Sequence, residues 1–387
     1  MKFIFKNVPM SSARHGVLSS FSKFPEKIFE TPLLLVSTKG GSVPHITHEV
    51  LQLITKDSHI MQFPLPSTML SHETVKEYAK GLAHFCGLKD YLTYCTVQDP
   101  SCLTPVGYNK TTVVSVWTNI GRVSVNAEKY MKTMEAFQPD MYQILANTDT
   151  NLDSTRKKAL KTLRSCQIIF DECIKRHQES EKLKNSGVIG VISGGIDLDV
   201  RKDHVKYMLE KPVSGFSIEG LHNNGADVEK MDYEKCNMVL EEILNILPED
   251  KLRIVPGCWK PQQVLKMVEL GVDMFDSSFP FIVTERMCAL TFSWKSIPLD
   301  VSEVPSQNVE EEINLRDIRY KEDFGPLKKD CTCLPCRKHT RAYVYHLIES
   351  KELLASTLLM MHNLHQYIEF FKAIRQSVGQ AQRILLY

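Results

Sequence analysis

From about residue 187 onward, short apolar runs alternate with segments in which apolar positions recur at helical spacing. GVIGVIS, GFSIEG, RIVPG and MFDSS predict buried strands, and DHVKYMLE, YEKCNMVLEEIL and PQQVLKMVEL predict amphipathic helices between them. Strand–helix units of this length imply a parallel sheet with right-handed crossovers. Upstream, TPLLLVS, TVVSVW and MYQIL read as further strands, and residues 155–181 as one long helix. Seven or eight such units favour an α/β fold of the TIM (β/α)8 barrel type over an open sheet. VSEVPSQNVEEE, residues 301–312, is acidic and polar and reads as a loop.

A chain of 387 residues, 43% of them hydrophobic, can bury a large core. No apolar stretch approaches the roughly 18 residues that span a bilayer, and no signal peptide is visible. Residues 1–25 are Ser-rich, with Lys2, Lys6, Arg14 and Lys23, a composition that superficially suits a mitochondrial transit peptide. Eleven cysteines, an odd number and widely scattered, do not form a secreted disulfide framework and point to a reducing compartment. The net charge of +1 means that a nucleic-acid partner must be held by a local basic patch.

The densest chemistry lies in CTCLPC, with Cys331, Cys333 and Cys336, followed by the helix-like ELLASTLLMMHNLHQYIEFF. Three thiolates and one imidazole satisfy tetrahedral structural Zn²⁺; free or disulfide-bonded cysteines are the bland alternative. Downstream lie His339, His346, His362 and His365, and a helix folded back over the knuckle brings either of the last two to the metal. Asp276 in GVDMFDSS falls at a strand end, where a barrel builds its site; it reads equally as a nucleophile toward a sugar carbon or as a loop cap. The two glycines of SGGIDLDVR, before Asp197 and Asp199, suit a tight turn or close ligand approach. Arg156, Lys157, Lys161 and Arg164 share one region of a predicted helix, and Arg337, Lys338, His339 and Arg341 follow the knuckle. Either group can meet phosphates or simply face solvent.

Taken together, ETPLLLVSTKGGSVPHIT, GVISGGIDLDVR, GFSIEGL, GVDMFDSSFP, INLRDIRYKEDFGPL, CTCLPC, RAYVYHL and HNLHQY occur in the order of a known family. The chain resembles the tRNA-guanine transglycosylases from about residue 3 to 378. The resemblance implies an irregular TIM (β/α)8 barrel with an inserted C-terminal zinc-binding module. It assigns residues 1–300 to the barrel with its N-terminal β-hairpin, 301–375 to the zinc module and closing helix, and 376–387 to a tail. It also implies that His362 completes the zinc set with Cys331, Cys333 and Cys336, and that MKFIFKN and ARHGVL belong to the fold rather than to a transit peptide.

Against the family pattern, the signature DSGGFQ, which supplies an essential aspartate, is absent from residues 90–130. Aligned on Asp140, the guanine-reading aspartate becomes Ala146 beside Asn147, and the glutamine of GIVQGG becomes Ser193. Glu219 replaces the first glycine of GGL and intrudes on the base space, Cys258–Trp259–Lys260–Pro261 replaces VGTP, placing an indole in the pocket region, and SSFPFI replaces CVLPTR. Only Asp276 keeps register with the family nucleophile, and is expected to be idle. The pattern resembles a non-catalytic paralogue that pairs with a catalytic queuine tRNA-ribosyltransferase subunit as a heterodimer and, without it, self-associates. A two-fold pair that accepts one bulky tRNA leaves one site unused. That reading implies replacement of the wobble guanine, position 34 of tRNAs with GUN anticodons, by queuine, with Arg337, Lys338 and Arg341 as tRNA contacts. It also implies a cytoplasmic location, peripherally at the mitochondrial outer membrane. The rival is an independently active tRNA base-exchange enzyme with Asp276 as nucleophile.

Overall fold

The computed structural model describes residues 1–8, 11–299 and 311–387. Eight parallel strands close into a barrel in chain order: Leu33–Ser37, Ile60–Pro64, Leu92–Thr96, Met141–Gln143, Gly187–Ile192, Gly215–Ile218, Leu252–Ile254 and Met274–Asp276. Closure is made by the last strand on the first, with Met274, Phe275 and Asp276 opposite Leu33, Leu34 and Leu35. The expected α/β barrel is therefore the fold.

The expected strand TVVSVW forms, but outside the barrel. Val114–Thr118 pairs antiparallel with Gly121–Val125 in an excursion between the third and fourth barrel strands. The second and third positions are taken by IMQFP and LTYCT, whose polar Gln62, Thr93 and Thr96 interrupt the apolar run and blur the pattern.

Strand alternation sorts side chains inside and outside the barrel. Leu33 and Leu35, Ile60, Leu92 and Tyr94, Met141, Ile189, Leu252 and Ile254, and Met274 point inward and pack with Leu18, Phe21 and Phe29. Those last three belong to the N-terminal segment, which forms the antiparallel sheet Lys2–Asn7, Arg14–Ser19 and Phe29–Thr31 and plugs the floor. Arg14 is buried there, 3.3 Å from Asp273, and donates to the carbonyls of Glu249 and Lys251. The segment with the composition of a transit peptide is thus built into the barrel.

Outside, Arg156–Glu179, Leu198–Leu209, Tyr233–Leu244 and Pro261–Glu269 follow the fourth to seventh strands. Asp197 caps its helix by accepting from Val200 N, which gives the acid of the double-glycine turn a structural role. After the helix Ser278–Glu285 the chain leaves the barrel, pairs Cys288–Leu290 with Glu312–Asn314, forms Leu334–Lys338 and Arg341–Glu349, and returns as the helix Leu354–Gly379. This last helix packs on Ser278–Glu285 and against the first barrel strand. The segment read as a tail is ordered: Gln382–Leu386 pairs antiparallel with Trp294–Pro298. Most of the acidic loop read at 301–312, and the boundary drawn at 300, lie outside the described residues.

Candidate functional site

Two constellations carry chemistry, one at the C-terminal mouth of the barrel and one in the cysteine module. At the mouth, the period that points Met274 inward also points Asp276 inward, and brings Gln62, Thr96, Gln143 and Ser217 to the same level. Asp276 is buried; Oδ2 accepts from Gly257 N and Oδ1 from Ser278 N, both at 2.9 Å. Burial raises its pKa to about 6 against those hydrogen bonds, with Asp99 adding repulsion. Gly257, at φ +150°, can approach because a Cβ there would meet the Trp259 ring at 2.8 Å.

Glu219 lies in the same cavity, where Oε1 accepts from Gln143 Nε2 at 2.6 Å and from Ser217 Oγ at 2.7 Å. Burial pushes its carboxyl up to about 7. With these side chains in place, the space left for the centre of a water molecule is about 10 Å³. That volume accommodates one water; a purine base does not fit.

Several residues expected at the mouth lie elsewhere. Trp259 is buried beside the cavity rather than in it: Nε1 donates to Val255 O, and the ring meets His222 edge-on at 5.1 Å. Ala146 is in the outer core, Asn147 accepts from Asn109 Nδ2 at 2.9 Å, and Ser193 is buried against the carbonyl of Asn147. The fourth strand reaches the cavity through Gln143 instead. A carboxylate that the sequence reading missed stands nearby: Asp99, in the loop after the third strand, pairs with Lys39 at 3.1 Å and accepts from Ser101 N and Oγ. Only the recognition of LTYCT as a barrel strand would have placed it.

In the module, one ligand atom each from Cys331, Cys333, Cys336 and His362 lie within 4.8 Å of one another, so the group can hold one metal ion. His362 Nδ1 is 3.8, 3.4 and 3.3 Å from the three sulfurs in that order. His362 Nε2 lies 2.8 Å from Leu290 O, an acceptor only, so the proton sits on Nε2 and the Nδ1 lone pair faces the thiols. Neighbouring Asn363 is buried, donates to Thr284 Oγ1 and Cys288 O, and accepts from Leu290 N. These bonds fasten the helix to the strand Cys288–Leu290. The competing His365 lies by Thr332 Oγ1 at 3.2 Å, and His339 stacks on Tyr343; neither joins the cluster.

Of the cations after the knuckle, Arg337 and Lys338 are exposed on the short helix. Arg341 is half-buried, pairs with Asp323 at 3.0 Å and donates to Leu327 O.

A family model described as queuine tRNA-ribosyltransferase matches residues 10–383. This chain belongs to that family. Curated relatives named "Queuine tRNA-ribosyltransferase accessory subunit 2" include those of Aedes aegypti, 36% identical over 98% of this chain and 90% of its own. That of Xenopus laevis is 38% identical, covering 96% and 95%, and that of Homo sapiens 35%, covering 95% and 94%. Within the queuine tRNA-ribosyltransferase family, then, this chain combines a closed barrel, a Cys3His cluster and a mouth filled by its own Glu219.

Proposed function

We propose that this chain is the non-catalytic subunit of a queuine tRNA-ribosyltransferase, pairing with a catalytic subunit that replaces the wobble guanine, position 34 of tRNAs with GUN anticodons, by queuine. The observation that carries the reading is the filled mouth. A base-exchange enzyme must hold a purine beside its nucleophile, and next to Asp276 the Glu219 carboxylate, tied to Gln143 and Ser217, leaves room for one water. The names of the relatives, accessory subunits, agree with a supporting role. The rival, independent base exchange through Asp276, draws on one observation, the proximity of Asp99 as a second carboxylate. Asp99, however, is engaged by Lys39 and Ser101.

The ion in the Cys3His cluster is zinc on this reading. Zn–S near 2.3 Å and Zn–N near 2.0 Å at tetrahedral angles put S and N roughly 3.5 Å apart; the separations of 3.3, 3.4 and 3.8 Å bracket that value. Its role is structural, since all four positions come from protein. Arg337 and Lys338, exposed and without a carboxylate partner among the described residues, offer charge for tRNA phosphate, while the pairing of Arg341 with Asp323 makes it a brace of the module. The reading carries with it a cytoplasmic complex, peripheral at the mitochondrial outer membrane; among the described residues no helix is long and apolar enough to cross a membrane.

The test is incorporation of labelled queuine into tRNA by this chain, by the catalytic subunit, and by the mixture, each also with Asp276→Asn here. Turnover confined to the mixture and unchanged by the substitution is expected. Turnover by this chain alone, lost in Asp276→Asn, would establish the rival.

A further inference from the structure

The basic residues at the start of the helix Arg156–Glu179 remain unused by the site described above. Its first turn contains no acidic residue, yet Arg156, Lys157, Lys158, Lys161 and Arg164 crowd its N-terminal half. Cations at that end oppose the helix dipole and repel one another. Two of them are neutralised: Arg156 by Asp197 and Asp199, and Lys158 by Asp149. Lys157, Lys161 and Arg164, at i, i+4 and i+7, form one exposed stripe and have no carboxylate partner among the described residues.

A second, independent feature borders that stripe. The excursion after the third barrel strand presents Tyr108, 47% exposed, packed edge-on to Trp117 at 5.1 Å, with the Arg122 guanidinium 5.3 Å over the Tyr108 ring. This platform is fixed to the barrel rim rather than hanging free. Gly107 N donates to Asp149 Oδ2, Asn109 Nδ2 to Asn147 Oδ1, and Ser165 Oγ to the carbonyl of Thr111. Ser165 adjoins Arg164 in sequence, so the last bond sets the base of the platform, including exposed Lys110, beside the Arg164 end of the stripe. On the other side Thr104 N donates to Asn223 O, in the loop after the sixth strand. The platform thus stands at the rim of the mouth, from which the stripe descends along the first turns of the helix.

Phosphates call for unpaired cations, and unstacked bases call for aromatic and guanidinium faces. Single-stranded nucleic acid asks for both side by side. Resting on the functional reading above for the identity of the polymer, we propose that this rim binds an unpaired RNA loop of the tRNA, with bases on Tyr108, Trp117 and Arg122 and phosphates on Lys110, Lys157, Lys161 and Arg164. This subunit then grips RNA at its own closed mouth as well as through the cysteine module.

The experiment uses the full chain assembled with its catalytic partner, and measures binding of a labelled tRNA and a labelled oligouridine across a salt series. Lys157→Gln/Lys161→Gln/Arg164→Gln is expected to lower tRNA affinity about tenfold or more and to reduce the magnitude of the log–log salt slope by about 2, near 0.7 to 0.9 per lost phosphate contact. Tyr108→Ala should weaken both ligands roughly tenfold with the slope unchanged, as loss of one stacked base does. Lys157→Glu separates folding from binding: relief of the dipole conflict should leave the melting temperature equal or higher while RNA affinity falls. Wild-type affinity and slope in the triple variant and in Tyr108→Ala would overturn the proposal. Loss of binding to phosphatidylserine vesicles with RNA binding intact would overturn it in favour of a membrane surface. A wild-type complex that binds no tRNA would instead bring down the functional reading, which Arg337→Gln/Lys338→Gln tests separately.

Discussion

A carboxylate inside a barrel mouth is stable only with its proton or with donors around it, and Glu219, Asp276 and the deeper Asp273 show both solutions. Burial raises them to about 7, 6 and 7. In the unfolded chain these groups lose their protons near pH 4. The folded chain holds more protons between these limits, so their contribution to stability declines as pH rises from about 4 to 7 and stays unfavourable above that. Glu219→Gln preserves the size of the side chain without the charge. Its melting temperature should exceed that of wild type by about 1–3 °C at pH 8, with a smaller gap at pH 4.5; scanning fluorimetry at the two pH values reads this. A gap independent of pH would mean that Glu219 does not titrate in this range. The intrusion of Glu219 was legible in the sequence through the family resemblance, because GFSIEGL aligned in register puts Glu219 where the family has the first glycine of GGL. Asp99 was not legible: it stands in a loop whose path depends on a strand that the hydrophobic pattern did not disclose.

At the scale of elements, the cysteine module is held by a knuckle at one end and the helix Leu354–Gly379 at the other, joined through His362. Cys333→Ala or His362→Ala should abolish stoichiometric metal and destabilise the module by several kcal/mol, since structural metal affinity is folding free energy. His365→Ala, outside the cluster, should keep its metal; elemental analysis and thermal melts distinguish the cases, and full metal in His362→Ala would refute the set. The same helix leads into the strand Gln382–Leu386, which buries Ile384 and Leu386. Truncation after Gly379 should therefore cost about 2 kcal/mol or more, read from denaturant midpoints, given about 1.5–3 kcal/mol for each buried aliphatic side chain. A disposable tail would leave the midpoint unchanged. The helical spacing of the long segments was plain in the sequence, but this strand was not, because its partner Trp294–Pro298 is distant in sequence and the strand is only five residues long.

At the scale of the molecule, the barrel is closed below by the N-terminal sheet and filled above by its own side chains, and on the proposed function the outer surfaces do the binding. Mixing this chain with the catalytic subunit of that proposal is accordingly the decisive assay, because recognition at a surface needs the other surface present. The sequence by itself determined the barrel type, the three thiols of the knuckle and the substitutions at the mouth, while the choice of His362 over His365 came from the family resemblance. Strand and helix periods are local, a knuckle brings its thiols together over a few residues, and a motif aligned in register carries its changes with it. Only the tertiary structure decided which strands close the barrel, that Trp259 lies behind the cavity rather than in it, and that Asp99 stands near Asp276. It also decided that Arg341 is spoken for by Asp323, while Lys157, Lys161 and Arg164 have no carboxylate partner among the described residues and lie on the helix to which the base of the Tyr108 excursion is tied. Those facts depend on contacts between residues far apart along the chain, and the free energy that selects them is that of packing and charge pairing in three dimensions, to which no local pattern answers.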